Sequence, residues 1–244
     1  MKIFYKVIIV VLFPIFVFSM TANELLKRID NRHFYSTISY KAIMKIHFAN
    51  ETLEKHLSIY VKGNEKAYLE IIYPPEERGT RYLKLKDAMW IYFPSADDVI
   101  RISGHMLRQS MFGSDLSYED ASSSKKLSEY YDATYDTSRT NDTMYVLDLI
   151  AKEKDASYYR RKVYVSKGSL LIKKMELFAK SGKLLRTMKF ENYKKYGSIY
   201  VPMKMEVRDE VRKNSYTDIM LFNVKIDVIL PGRMFTKSYL RRKS

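Results

Sequence analysis

Four histidines, His33, His47, His56 and His105, are the side chains with the most direct capacity for metal or acid–base chemistry. None has the short spacing that sets two imidazoles on one ion. His47 and His56 fall on the two strands of one expected hairpin, and only there could imidazoles approach each other. The carboxylate pairs Asp97-Asp98 and Glu119-Asp120 are adjacent in the chain. Adjacent helical positions diverge by about 100 degrees, so Glu119 and Asp120 are poorly set for paired acid and base work. No G-x-S-x-G elbow, H-E-x-x-H helix or glycine-rich phosphate loop occurs. Cysteine is absent, which removes disulfides, thiolate zinc sites, iron–sulfur clusters, cysteine nucleophiles and a lipid-modified N-terminal cysteine together. With no residue set to carry catalysis, the sequence reads as a non-enzyme and implies no cofactor. Asn50-Glu51-Thr52 and Asn141-Asp142-Thr143 match the glycosylation pattern, yet both sit where hairpin turns belong, and turn chemistry accounts for them.

What remains conspicuous is charge. Lys and Arg number 43 against 28 Asp and Glu in 244 residues, a formal net charge of +15, which favours anionic partners without naming them. The N-terminus decides where that charge works. Lys2 and Lys6 open an apolar run, Val7 to Phe18, interrupted only by Pro14 and followed by Ser19, Thr21 and Ala22. At roughly 12 residues the run falls short of the ~20 that span a bilayer as a helix. It reads as a secretory signal peptide over residues 1–22, cut after Ser19 or Ala22, with an uncleaved anchor as the lesser alternative. Export to the periplasm keeps nearly all of the charge and makes nucleic acid a poor partner. An anionic membrane surface or an acidic protein face is the better one.

These features need a scaffold. The chain is 46% hydrophobic and 14% aromatic, enough for a real core, and residues 23–244 contain no Pro, Gly and Ser linker that would divide them. Asn23 to Arg32 carries Leu25, Leu26 and Ile29 at helical spacing. From Ile38 the period becomes two. Ile38 to Phe48, Leu53 to Val61, Ala67 to Tyr73, Arg81 to Lys86 and Met89 to Phe93 alternate in polarity between turn residues, as hairpins of a meander do. Between Gly104 and Lys126 the alternation stops; Met106, Leu107, Met111, Phe112 and Leu116 sit among polar residues, and two short helices are expected, the second capped by Ser114 or Asp115. Strand signals resume at Glu129 to Tyr135, Met144 to Ala151, Tyr159 to Val165, Leu170 to Ala179, Leu184 to Tyr193, Tyr200 to Arg208 and Ser215 to Val228. The protein is therefore mainly β, one large antiparallel sheet or barrel. A strongly curved sheet of that size encloses more volume than its own side chains fill, so its concave side needs a plug or a ligand. Thirteen methionines, several at apolar strand positions, suit exchangeable apolar contents.

Four segments, Gly79 to Pro94 (GTRYLKLKDAMWIYFP), Gly113 to Ala121 (GSDLSYEDA), Val201 to Met205 (VPMKM) and Pro231 to Arg241 (PGRMFTKSYLR), resemble in order and spacing the outer-membrane lipoprotein-sorting family. That family is related to the lipoprotein carrier LolA, its acceptor LolB and the envelope-stress regulator RseB. None of the four segments is a catalytic signature. The resemblance covers nearly all of the chain after the leader. It implies an incompletely closed antiparallel β-barrel whose short α-helices cover a concave apolar cavity, with residues 104–126 as a lid. It also implies a periplasmic carrier that holds acyl chains of lipoproteins or lipids and passes them between membrane components. An inner-membrane exporter of the RND/MMPL or ABC type is a partner by analogy. An accessory subunit of such an exporter and an RseB-like sensor of envelope stress are the alternative functions. The expected cavity wall is one parity class of the strands, Met44, Ile46, Leu57, Ile59, Leu69, Ile71, Leu83, Leu85 and Met220, with Met111, Phe112 and Leu116 from the lid. Trp90 and Tyr92 line the cavity or pack beneath the lid; both faces of their strand are apolar, so parity leaves that choice open.

Overall fold

The computed structural model describes residues 20–86, 88–122, 126–212 and 214–242. The apolar run of the expected leader lies outside the described residues, and only Met20, Thr21 and Ala22 of the leader are among them. Thr21 caps helix α1 (Ala22–His33). Its hydroxyl accepts from the Glu24 N–H at 3.2 Å, and the Glu24 carboxylate accepts from the Thr21 N–H at 2.9 Å. Two donors that a helix start leaves open are thereby satisfied. Leu25, Leu26 and Ile29 are fully buried, the single apolar face that their spacing prescribes.

The thirteen strands of the described residues join one antiparallel sheet. A first meander comprises β1 (Thr37–His47), β2 (Thr52–Lys62), β3 (Lys66–Tyr73), β4 (Arg81–Leu85), β5 (Ala88–Phe93) and β6 (Asp98–Ser103). A second comprises β7 (Tyr131–Tyr135), β8 (Met144–Ala151), β9 (Arg160–Ser166), β10 (Ile172–Phe178), β11 (Leu184–Tyr196), β12 (Ile199–Asp209) and β13 (Tyr216–Ile226). They meet where β1 pairs with β13, from Ile38 opposite Ile226 to His47 opposite Tyr216. β6 and β7 are the two edges, so the barrel is not closed. The chain crosses from one edge to the other through a 3-10 turn at Gly104–Arg108, α2 (Tyr118–Ser122) and α3 (Leu127–Tyr130). Among the described residues no helix is long and apolar enough to cross a membrane.

The concave face carries two plugs. Residues of the crossing segment, Met111 and Leu116, are buried against Tyr82, Ile91 and Ile102 of the first meander. Helix α1 covers the second meander, with Leu25, Leu26 and Ile29 in one cluster with Leu147, Leu149 and Val163. A third cluster lies on the convex face. There the C-terminal tail, a 3-10 turn at Gly232–Phe235 followed by α4 (Lys237–Leu240), buries Phe235 and Leu240 with Tyr68, Leu83 and Tyr92.

That third cluster corrects part of the expected cavity wall. Leu69 stands opposite Tyr82 and Tyr68 opposite Leu83, while Leu83 stands opposite Trp90 and Arg81 opposite Tyr92. Opposed residues of an antiparallel pair share a face. Leu83, Trp90 and Tyr92 are therefore on the convex face, and Leu85 packs with the same cluster beneath the tail. Met220 also faces outward, because its neighbours Ile219 and Leu221 take the buried concave positions. The physical reason is that β4 and β5 are covered on both sides. Aliphatic residues then mark no particular face, and the concave side of β4 is built from Tyr82 and the buried stem of Lys84.

Candidate ligand cavity

Between the two plugs the concave face leaves a cavity of about 560 Å³, within the range of small-ligand pockets. Met44, Leu57, Ile59 and Leu69 line it from the first meander, and Met111, Phe112 and Leu116 from the crossing segment. Ile46 and Ile71 point to the same side but are fully buried in the adjoining core and do not reach the cavity. Much of the wall comes from residues that parity in the first meander could not supply: Ile219 and Leu221 of β13, Met205 of β12, Met188 and Phe190 of β11 and Met175 of β10. Their signal was the alternation of their own strands, but which parity faces inward is set by pairing with β1, a contact of nearly the whole chain length.

The crossing segment is fastened by buried polar groups. Asp115, fully buried, accepts from Ser215 Oγ and Thr217 Oγ1 at 2.7 Å each and from the Asp209 N–H at 3.2 Å; Thr217 Oγ1 in turn accepts from the Asp115 N–H at 3.0 Å. Ser114 Oγ donates to the Met111 carbonyl at 2.6 Å and accepts from the Leu116 N–H at 3.2 Å. Ser117, rather than Ser114 or Asp115, caps α2: its Oγ accepts from the Asp120 N–H at 3.1 Å, and the Asp120 carboxylate accepts from the Ser117 N–H at 3.0 Å. Asp120 is also ion-paired with Arg186 of β11 and accepts from Tyr158 Oη at 3.1 Å. The polar residues of GSDLSYEDA thus hold the segment to the second meander, while its apolar side chains pack on the first.

The other quoted segments have equally physical roles. Arg81, at the start of β4, donates through Nη1 to the carbonyls of Leu240 and Arg242 at 2.8 and 2.6 Å, which ties the tail to the convex face. Thr236 caps α4 by accepting from the Tyr239 N–H at 3.3 Å. In VPMKM, β12 pairs with β13 only from Lys204 to Val207. The preceding stretch leaves β13, and Pro202 with no N–H to offer sits within it. Tyr200, Val201 and Pro202 line the cavity at this gap.

His33, at the C-terminal end of α1, lines the cavity beside them, and its Nδ1 donates to the Tyr200 carbonyl at 3.0 Å. Burial pushes this imidazole below its ordinary value. The other histidines do not gather. His56 stands opposite Ile43, whereas His47 stands opposite Thr52; His47 is stacked on Tyr216 with ring centroids 4.2 Å apart and His56 bonds Glu54 at 2.6 Å. Among the described residues no group of three His, Asp or Glu side chains converges as a metal site.

Comparison places this geometry. The family model that matches residues 63–242 carries the description "Uncharacterized protein". No curated protein matches significantly. Among solved structures, a DUF1329 family protein from Desulfovibrio piger is 26% identical, with a TM-score of 0.81 over 90% of this chain and 97% of its own. A putative outer membrane lipoprotein-sorting protein domain from Vibrio parahaemolyticus is 23% identical, with a TM-score of 0.80 over 91% and 98%. A LolA superfamily protein from Nitrosomonas europaea is 21% identical, with a TM-score of 0.76 over 91% and 100%. The chain belongs to the family described by the matching model, and it shares its fold with the DUF1329, lipoprotein-sorting and LolA superfamily proteins of these structures.

Proposed function

We propose that this protein is a periplasmic carrier that takes acyl chains of lipids or lipoproteins into its cavity and passes them between membrane components. The observation that carries the reading is the cavity itself: about 560 Å³ left open between two plugs, walled largely by aliphatic, methionine and aromatic side chains. Each methylene removed from water contributes about 0.8 kcal/mol, so a ten-methylene insertion is worth roughly 8 kcal/mol before ordering costs. That is enough for capture and compatible with release. Flexible Met44, Met111, Met175, Met188 and Met205 on the wall suit contents that come and go.

The test is mass spectrometry of whatever co-purifies with protein taken from its native envelope, alongside the variant Ile59→Asp. An acyl species should accompany the wild type and be lost from Ile59→Asp, because a carboxylate on the cavity wall would be desolvated by the chain. A well-folded Ile59→Asp protein that retains the same species would sink the assignment.

A further inference from the structure

Two cations on the cavity wall, Lys126 and Arg161, have no carboxylate within ion-pair distance among the described residues. Lys126 donates through Nζ to Asn31 Oδ1 at 3.3 Å and lies 4.5 Å from the Phe34 ring centroid, whereas Arg161 is set in an apolar strand face. Arg161 of β9 stands opposite Leu149 and Leu177, on the concave face, where the next two concave positions of its strand are Val163 and Val165, both fully buried. Its Nε donates to Tyr131 Oη at 2.8 Å, and Tyr131 Oη donates to the Tyr158 carbonyl at 2.8 Å. The guanidinium lies 4.8 Å from the ring centroid of Tyr131 and 5.3 Å from that of Tyr158. The site is therefore held in place by two aromatic faces and a phenol. Among the described residues no carboxylate lies within ion-pair distance of Arg161.

The acidic groups on the same wall are otherwise engaged. Asp120 is paired with Arg186. Asp30 accepts from the N–H groups of Leu127 and Ser128 at 3.1 and 2.8 Å. Glu119 accepts from Ser157 Oγ at 2.6 Å, and Glu153 is exposed to solvent. A guanidinium on an apolar wall, stacked and oriented, with its Nη groups left over, is the arrangement that receives an oxyanion through parallel N–H donors.

We propose that Arg161 receives the anionic headgroup, carboxylate or phosphate, of a single-chain amphiphile whose tail occupies the apolar part of the cavity. This rests on the carrier reading and adds a ligand class to it. Calorimetric titration of the delipidated protein with laurate, dodecyl phosphate, dodecanol and inorganic phosphate tests it. Laurate and dodecyl phosphate should bind about 10- to 100-fold tighter than dodecanol, the increment of a charge-assisted hydrogen bond. Arg161→Met should abolish that preference, and Arg161→Lys should keep part of it. Equal affinity for dodecanol and laurate in the wild type, or an undiminished preference in Arg161→Met, would overturn the headgroup site and leave the carrier standing. Inorganic phosphate binding as tightly as dodecyl phosphate would replace the amphiphile with a free anion. If none of the alkyl probes binds, the carrier reading itself fails. Should Arg161→Met not fold, the wild-type selectivity and Arg161→Lys decide the matter.

Discussion

Asp115 is the residue on which the position of the crossing segment depends most. Its carboxylate has no contact with water and offers only acceptors, and three donors from β12, β13 and the turn between them converge on it. Removing it strands those donors in a desolvated place, and each buried donor left without a partner costs about 1–3 kcal/mol. Asp115→Ala should therefore lose on the order of 3 kcal/mol. In urea denaturation this would appear as a lower midpoint with an unchanged slope. A change within about 0.5 kcal/mol, as for an ordinary surface substitution, would show that the segment is held by its apolar contacts alone. None of this could be read locally. Asp115 reads as a helix cap in the sequence because its true partners lie about a hundred positions away, and the capping role falls to Ser117 within the same motif.

At the level of elements, the convex tail and the concave cavity are separate structures that share strand β3, whose Tyr68 packs under the tail and whose Leu69 lines the cavity. Leu240 is fully buried under α4 against Tyr68, Leu83 and Tyr92, and its carbonyl is held by Arg81. Leu240→Ala should cost about 2–5 kcal/mol, the usual range for a large-to-small core change, yet leave laurate affinity unaltered, since none of its partners lines the cavity. Chemical denaturation and calorimetric titration of the same variant check both halves; a parallel loss of affinity would mean that tail and cavity are coupled. The same separation explains what the sequence disclosed and what it hid. Strands exposed on one side, such as β1 with Ala42, Met44 and Ile46 against Lys41 and Lys45, announced both their existence and their inward parity. β4 and β5 announced only their existence, because the tail makes their outer face apolar too. β6 announced neither: Asp98, Ile100 and Arg101 are exposed on an edge strand, so no period in polarity forms.

Across the whole molecule, two meanders touch along one seam, β1 with β13, and two cores lie on the concave face, one spanning that seam from β12 to β6 beneath the crossing segment and the other under α1. Met188 and Met205 are only partly buried and pack against both cores, and the cavity lies between them with walls from both sides. A chain bound there adds contacts that bridge the halves, so its binding energy should appear as stability in both plugs at once. At a ligand concentration 100 times Kd the increment is about 2.7 kcal/mol, roughly a hundredfold in exchange protection. Hydrogen exchange with laurate should therefore slow the amides of α1 and of residues 109–118 together, although these belong to different cores. Amides of α4, on the convex face and opening independently, should be unchanged. Protection confined to one plug would place the ligand in a single core rather than between the two. Equal protection in α4 would mean that every one of these amides exchanges only through global unfolding, and the two halves would then have to be regarded as a single cooperative unit even when empty.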